Sequence, residues 1–356
     1  MPEASAGVPR TGAAWLQHGQ FLEARQQFTD AIVAYDRAIR SFIEDTTAAA
    51  LERRHQLALA WMNRGNALQK SASSPGIREA LRSYDEAIAL FETLPIETEP
   101  TFRNHLGAAW MNRGHALIIA GDSAAVDSFE HAVAQLRQLP LDADPFYRLN
   151  LAGAWTNLAH VLLAPRSREA VERSRAAARN ALESLAGVEQ AHEEFAAMSL
   201  RARRAQVMAL GVQLETAEQE REPTAALASE ATDVVEGGLA IAREFERRGV
   251  TQLRPLALRL FRLGAQLYCA HQPHFLGEFL IETLGAPSLA ADAEFRGVAD
   301  DALAVALAHL QRPQLFLADT REGEKAIATA RALRAAQLQL STLGAPNSVP
   351  TVPSLA

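Results

Sequence analysis

Small and apolar residues recur along this chain at offsets of three and four, and the same arrangement returns several times. From Arg54 the sequence reads RHQLALAWMNRGNAL, from Arg103 RNHLGAAWMNRGHAL and from Arg148 RLNLAGAWTNLAHVL. In register these share Leu57/Leu106/Leu151, Ala60/Ala109/Ala154, Trp61/Trp110/Trp155 and Leu68/Leu117/Leu162, and a weaker first copy surrounds Trp15. A second pattern follows each: Ala31-Tyr35-Ala38, Ala80-Tyr84-Ala87 and Ala125-Phe129-Ala132. The fourth copy, Ala170-Ser174-Ala177, keeps the alanines and loses the ring. Such offsets place each set on one helix face, and no β-branched alternating run argues for strand. The tryptophans are 46, 49 and 45 residues apart. Self-similarity at such a period predicts a stack of helical hairpins.

The small residues have a physical role in that stack. Alanine in the second helix lets a neighbour approach closely, and the ring fills the space beside it. Gly65 and Gly114 lie four residues after their tryptophans. A mid-helix glycine costs up to about 1 kcal/mol against alanine, which predicts close contact with the paired helix as compensation. A tryptophan buried as the core ring would cost about 3–5 kcal/mol on truncation at Trp110. Arg54, Arg103 and Arg148, seven residues before the tryptophans, are expected to pair with acids or carbonyls of the adjoining helix.

AWMNRGNAL and AWMNRGHAL, each followed by a small-aromatic-small triad, resemble the tetratricopeptide repeat across residues 13–180. The chain departs from that pattern at Arg64 and Arg113, at Ala159 in place of glycine, and at Ser174. Its period departs too. From Ala38 to Trp61, Ala87 to Trp110 and Ala132 to Trp155 there are 23 residues, where the usual 34-residue repeat leaves about 11. Leu94-Pro95 and Leu139-Pro140 mark turns inside these spacers, and Glu99-Pro100 and Asp144-Pro145 mark new helix starts. This long-helix layout is similar to that of kinesin-light-chain repeats. The resemblance implies a right-handed α-solenoid, all-α, of about six hairpins.

Domain expectations follow from where the signal holds. Residues 12–186 carry four repeats, and 187–286 two degenerate ones, with first helices near 190–214 and 251–270. In the second of these, Phe261 takes the tryptophan position and Ala265 the glycine position, after the triad Ala231-Val235-Gly238. Residues 287–342 are expected to form capping helices. Lys325, Arg331 and Arg334, with Glu322 and Glu324, give the last one a polar side. The Pro-, Ser- and Gly-rich ends, 1–11 and 343–356, are expected to be disordered.

Charge and composition narrow the function. A net charge of -7 argues against a nucleic-acid backbone as partner, and Arg201, Arg203 and Arg204 are expected to lie on a solvated helix surface. One cysteine, Cys269, fits a reducing compartment, and no signal peptide or membrane span is expected, giving a cytoplasmic reading. Cys269, His271 and His274 form a weak metal-like cluster without a second pair of ligands nearby. No GxSxG, HExxH or phosphate-loop motif is visible. The chain is therefore expected to be no enzyme and to need no cofactor or metal.

The candidate site lies on the first helices. Asn63, Asn112 and Asn157 each follow a tryptophan by two residues, a rotation of about 200° to the opposite face. The resemblance implies that this face lines a concave groove. An asparagine there donates and accepts, and so suits the backbone of a bound peptide. Asn66, His115 and His160 lie three residues further on, on the same face, and Gln17 takes the asparagine position of the first copy. The expected function is a scaffold or adaptor holding a protein or peptide partner. The alternative is a structural component that binds itself or a filament, including a bacterial tubulin-like polymer, through edge or C-terminal helices.

Overall fold

The computed structural model describes residues 11–45, 49–71, 74–310 and 321–343, all organised around α-helices. The expected disordered ends, 1–11 and 343–356, lie almost wholly outside these residues. The chain divides into two compact units, the first running to Ala164 and the second starting at Pro165. In the first, α1 (Gly12–Ala24) pairs with α2 (Phe28–Glu44), α3 (Ala50–Lys70) with α4 (Ser74–Glu92), and α5 (Pro100–Ala120) with α6 (Ala125–Leu136). Helix α7 (Pro145–Leu162) packs on α6. The first helices also touch one another, α1 on α3, α3 on α5 and α5 on α7.

The second unit holds α8 (Arg168–Leu185), α9 (Glu193–Glu220), α10 (Ala225–Arg247) and α11 (Arg254–His271). These are followed by α12 (Leu276–Leu284), α13 (Pro287–Ala290), α14 (Ala293–Leu310) and α15 (Arg321–Leu343). Neighbours pack in sequence from α8 to α11, and α11 then also packs on α9 and α14. Helix α15 lies on α12 and α14, burying Ala326, Leu333 and Ala336. The unit boundary falls inside the expected fourth hairpin, which has one helix in each unit.

Each hairpin of the first unit sets a glycine of its first helix against a ring of its second. Tyr35, Tyr84 and Phe129, from the second helices, are completely buried. A Cβ built on Gly19, Gly65 or Gly114 would come within 2.4, 2.6 and 2.7 Å of those rings. Removing the side chain from the first helix is therefore what lets the ring come so near its backbone. In the second unit Gly264 repeats the contact with Phe279, at 2.6 Å. The glycine role thus falls one residue before the expected Ala265.

The tryptophans do not take the expected core position. Trp15, Trp61, Trp110 and Trp155 are all half-buried, because the second-helix rings already occupy the hairpin centre. Trp110 instead stacks on His131, with ring centroids 4.5 Å apart, and Arg113 sits 5.6 Å from its ring. Those arginines, unusual at their position, link three helices. Arg64 of α3 donates to Asp36 of α2 at 2.6 Å and to Ser83 of α4 at 2.8 Å. Arg113 of α5 repeats this with Asp85 and Ser128, both at 2.8 Å.

The long spacers are ordered turns latched by the leading arginines. Arg103, only 5% exposed, donates to the Ile96 carbonyl at 3.1 Å, to Glu97 at 2.5 Å, to Gln135 of α6 at 3.1 Å and to Gln138 just beyond that helix at 2.8 Å. Arg148 donates to the Leu141 carbonyl at 3.2 Å and pairs with Asp142. Both latches sit just after Leu-Pro, and proline opens the following helix at Pro100 and Pro145. Arg54 donates to the Ala50 carbonyl of its own helix at 3.2 Å; the residues equivalent to the other two turns, 46–48, lie outside the described residues.

Substitutions separate these roles. Gly114→Ala is expected to destabilise by about 1–3 kcal/mol through overpacking, although alanine is the better helix former. Phe129→Ala should cost about 3–5 kcal/mol, and Trp110→Ala less than Phe129→Ala. Urea melts of the three variants check the order; a Gly114→Ala chain more stable than wild type would refute the glycine–ring closure.

Candidate functional site

The expected asparagine face is a set of polar rungs between neighbouring first helices. Asn112 Nδ2 of α5 donates to Asn66 Oδ1 of α3 at 3.0 Å, and the Tyr84 hydroxyl donates to the same oxygen at 2.9 Å. One junction further on, His115 of α5 is hydrogen-bonded to Asn157 of α7. Both rungs join the fifth residue after one tryptophan to the second residue after the next. A second type joins residues six before one tryptophan and five before the next. His55 Nε2 lies 3.0 Å from His105 Nδ1, and Asn150 Nδ2 donates to Asn104 Oδ1 at 2.8 Å. The register of the repeat therefore sets amide or imidazole against its like at each of these two junctions, and the helices run parallel.

The expected site residues fall into two groups. Asn66, Asn112, His115 and Asn157 come together as rung partners. Asn63 is half-buried, while Gln17 and His160 are exposed; among the described residues no side-chain hydrogen bond is made by any of the three. The His55–His105 and Asn104–Asn150 pairs were missed. Their signal was present as a polar residue five or six positions before each of three tryptophans, inside an otherwise apolar phrase.

Burial governs the electrostatics of these rungs. Desolvation, helped by the neighbouring His55, holds His105 down to about 4. His55 is itself depressed by burial, partly opposed by Glu52, and its ring lies 4.8 Å from Phe102 and 6.3 Å from Phe91. His115 is lowered by burial against a smaller upward effect of Asn157. Neutral rings are required at the histidine pair, since one nitrogen must donate and the other accept.

Other expected clusters resolve differently. Cys269, His271 and His274 do not converge. The Cys269 thiol faces the Ala302 carbonyl at 3.3 Å and is pushed up to about 11 by burial. His271 lies 3.5 Å from Glu218, and the His274 ring lies 4.1 Å from that of Phe275. Among the described residues no group of three or more His, Cys, Asp or Glu could hold a metal ion. Arg203, expected on a solvated surface, is instead half-buried beside Gly237 and Gly238, with no hydrogen-bond partner for its Nε. Close by in the fold, Arg175 of α8 pairs with Glu230 of α10 and donates to Gln213 of α9 at 3.0 Å. No helix among the described residues is long and apolar enough to cross a membrane.

Compared with protein-family models and with curated proteins, the chain matches none.

Two measurements probe the rungs. Asn112→Ala should cost about 1 kcal/mol, and a double-mutant cycle with Asn66→Ala should return a coupling of that order; additive losses would mean the pair is not bonded. The depressed histidines make stability pH-dependent in a defined sense. In the unfolded chain they take up protons near 6.5, and in the folded chain only well below that. Their contribution is therefore complete above about pH 6.5 and is lost as pH falls toward 4, by at most about 3 kcal/mol for His105. Urea midpoints across that window should fall less steeply in a His55→Asn/His105→Asn chain than in wild type.

Proposed function

We propose that this chain is a non-enzymatic helical-repeat scaffold, an α-solenoid of the tetratricopeptide type, whose first-helix face holds an extended segment of a partner protein. The observation that carries this reading is the row Asn63, Asn112 and Asn157, which crosses three parallel helices. Packed helices stand about 8–10 Å apart, and an extended chain advances about 3.3 Å per residue. One amide therefore meets roughly every third residue of a peptide laid across the helices. Asn112 and Asn157 each use only part of their capacity in a rung, since an amide offers two N–H donors and an acceptor oxygen. Asn63 is uncommitted. Main-chain pairing of this kind is largely indifferent to peptide sequence, so specificity would come from the side chains that flank the row.

The Asn63 side chain gives the clean test because no rung depends on it. Asn63→Ala is expected to weaken partner capture about two- to tenfold with an unchanged melting temperature. Replacing all three asparagines should weaken it by about ten- to a thousand-fold while lowering stability through the two lost rungs. The comparison is a pull-down from cell extract with wild-type and variant chains, each quantified beside its melting curve. A partner retained at full strength by both variants would remove the amide row from the interaction.

A further inference from the structure

The slot between α11 and α14, in the second unit, lacks the bridges found between first helices of the first unit. These two helices also run parallel: Phe261 stacks on Phe295 with centroids 5.5 Å apart, and Cys269 reaches Ala302 about two turns later. At the register where the first unit places asparagine and histidine, two and five residues after the aromatic, α11 carries Leu263 and Gln266, and Gln266 lines the slot. The other residues that face each other across it, Ala265, Cys269, Ala302 and Ala306, are short. The result is an open groove of about 800 Å³. Gly297 lies on its wall, and a Cβ built there would meet nothing within 4 Å.

The groove has a direction, an apolar floor and a charge. Its α14 wall recurs at offsets of three and four from Glu294 to His309, roughly 22 Å or four turns. Val305 stands on that wall 62% exposed. Small residues along the floor allow another helix to approach closely, and the groove follows the axes of two helices, as a third helix packed between them would. Two carboxylates, Glu294 and Asp301, line it against one guanidinium, Arg262. Arg262 and Glu294 are 4.0 Å apart and both well exposed, so their attraction is weak. Asp301 has no ion pair among the described residues, and the whole chain carries -7.

We propose that this groove receives an amphipathic helix of a partner protein, aliphatic on the buried face and bearing lysine or arginine beside it. The site lies in the other unit from the amide row and does not depend on it.

The test uses the full chain and a fluorescein-labelled, side-chain-stapled helical peptide of about 16 residues, matched to the groove length. The peptide carries leucine on one face and lysine elsewhere; a second peptide has glutamate for every lysine. Fluorescence anisotropy should show binding of the lysine peptide and at least tenfold weaker binding of the glutamate one. Gly297→Trp, which fills open space, should weaken the lysine peptide tenfold or more without lowering the melting temperature. If the indole does lower it, Gly297→Gln repeats the comparison with a smaller side chain. Asp301→Lys should shift preference toward the glutamate peptide. Asn63→Ala should leave all of this unchanged, so the two readings fail separately. Equal binding of both peptides, or full affinity in the folded Gly297 variants, overturns the proposal. So does a wild-type dimer, seen by size-exclusion chromatography, that Gly297→Trp converts to monomer, because a second copy would then be the occupant.

Discussion

The close approach of a ring onto a glycine is the constraint on which the first unit depends. A helix pair normally keeps its backbones apart by the size of the side chains between them. At Gly19, Gly65 and Gly114 the ring comes so near that there is no room for even a methyl group. The close approach brings the flanking alanines of the second helix, Ala31 and Ala38 or Ala80 and Ala87, to full burial. It also fixes the rotation of the first helix, because only the glycine side can face the ring. Once that rotation is set, the residues two and five after the tryptophan must point along the row of first helices. The polar rungs follow from the hairpin closure.

This order explains which parts of the structure could be read from the residues. The glycine, the ring and the alanines have fixed offsets within one hairpin, so their pattern is local and visible. The turn latch is local too: Arg103 lies seven residues from the Ile96 carbonyl and Arg148 seven from that of Leu141. The rungs are not local. Asn66 and Asn112 are 46 residues apart, and their pairing depends on how far one hairpin is shifted against the next. The sequence shows that both positions recur but carries no measure of that shift. The tryptophans misled for a related reason. Their size suggested the core, whereas each hairpin has one central space and the second-helix ring fills it.

In the second unit the ring contact persists in altered form, with Gly264 on Phe279 and Gly238 on Leu260. Phe261 is wholly buried where the tryptophans are half-exposed. The aromatic there is part of a continuous core that links Phe279, Phe295 and Tyr268. Because the apolar core holds α11 and α14 together, nothing requires a polar bridge between them.

The rungs and the open groove are thus two solutions to the same packing problem. Parallel first helices of a repeat stack leave a slot between their outer edges. Filling it with paired amides and imidazoles satisfies polar groups and sets register, at the cost of donors and acceptors that are then unavailable to a ligand. Lining its floor with alanine, glycine and cysteine commits little beyond the Cys269 thiol and one weak ion pair, and exposes apolar surface, as Val305 shows. Exposed apolar surface of this kind is characteristic of interaction sites in soluble proteins. The two units therefore present different chemistry on comparable slots: amides and imidazoles largely paired with one another in one, and an open apolar floor accompanied by charged side chains in the other. An extended backbone suits the first and an aliphatic helix face suits the second. A partner offering both would gain from their linkage through effective concentration rather than from any single strong contact.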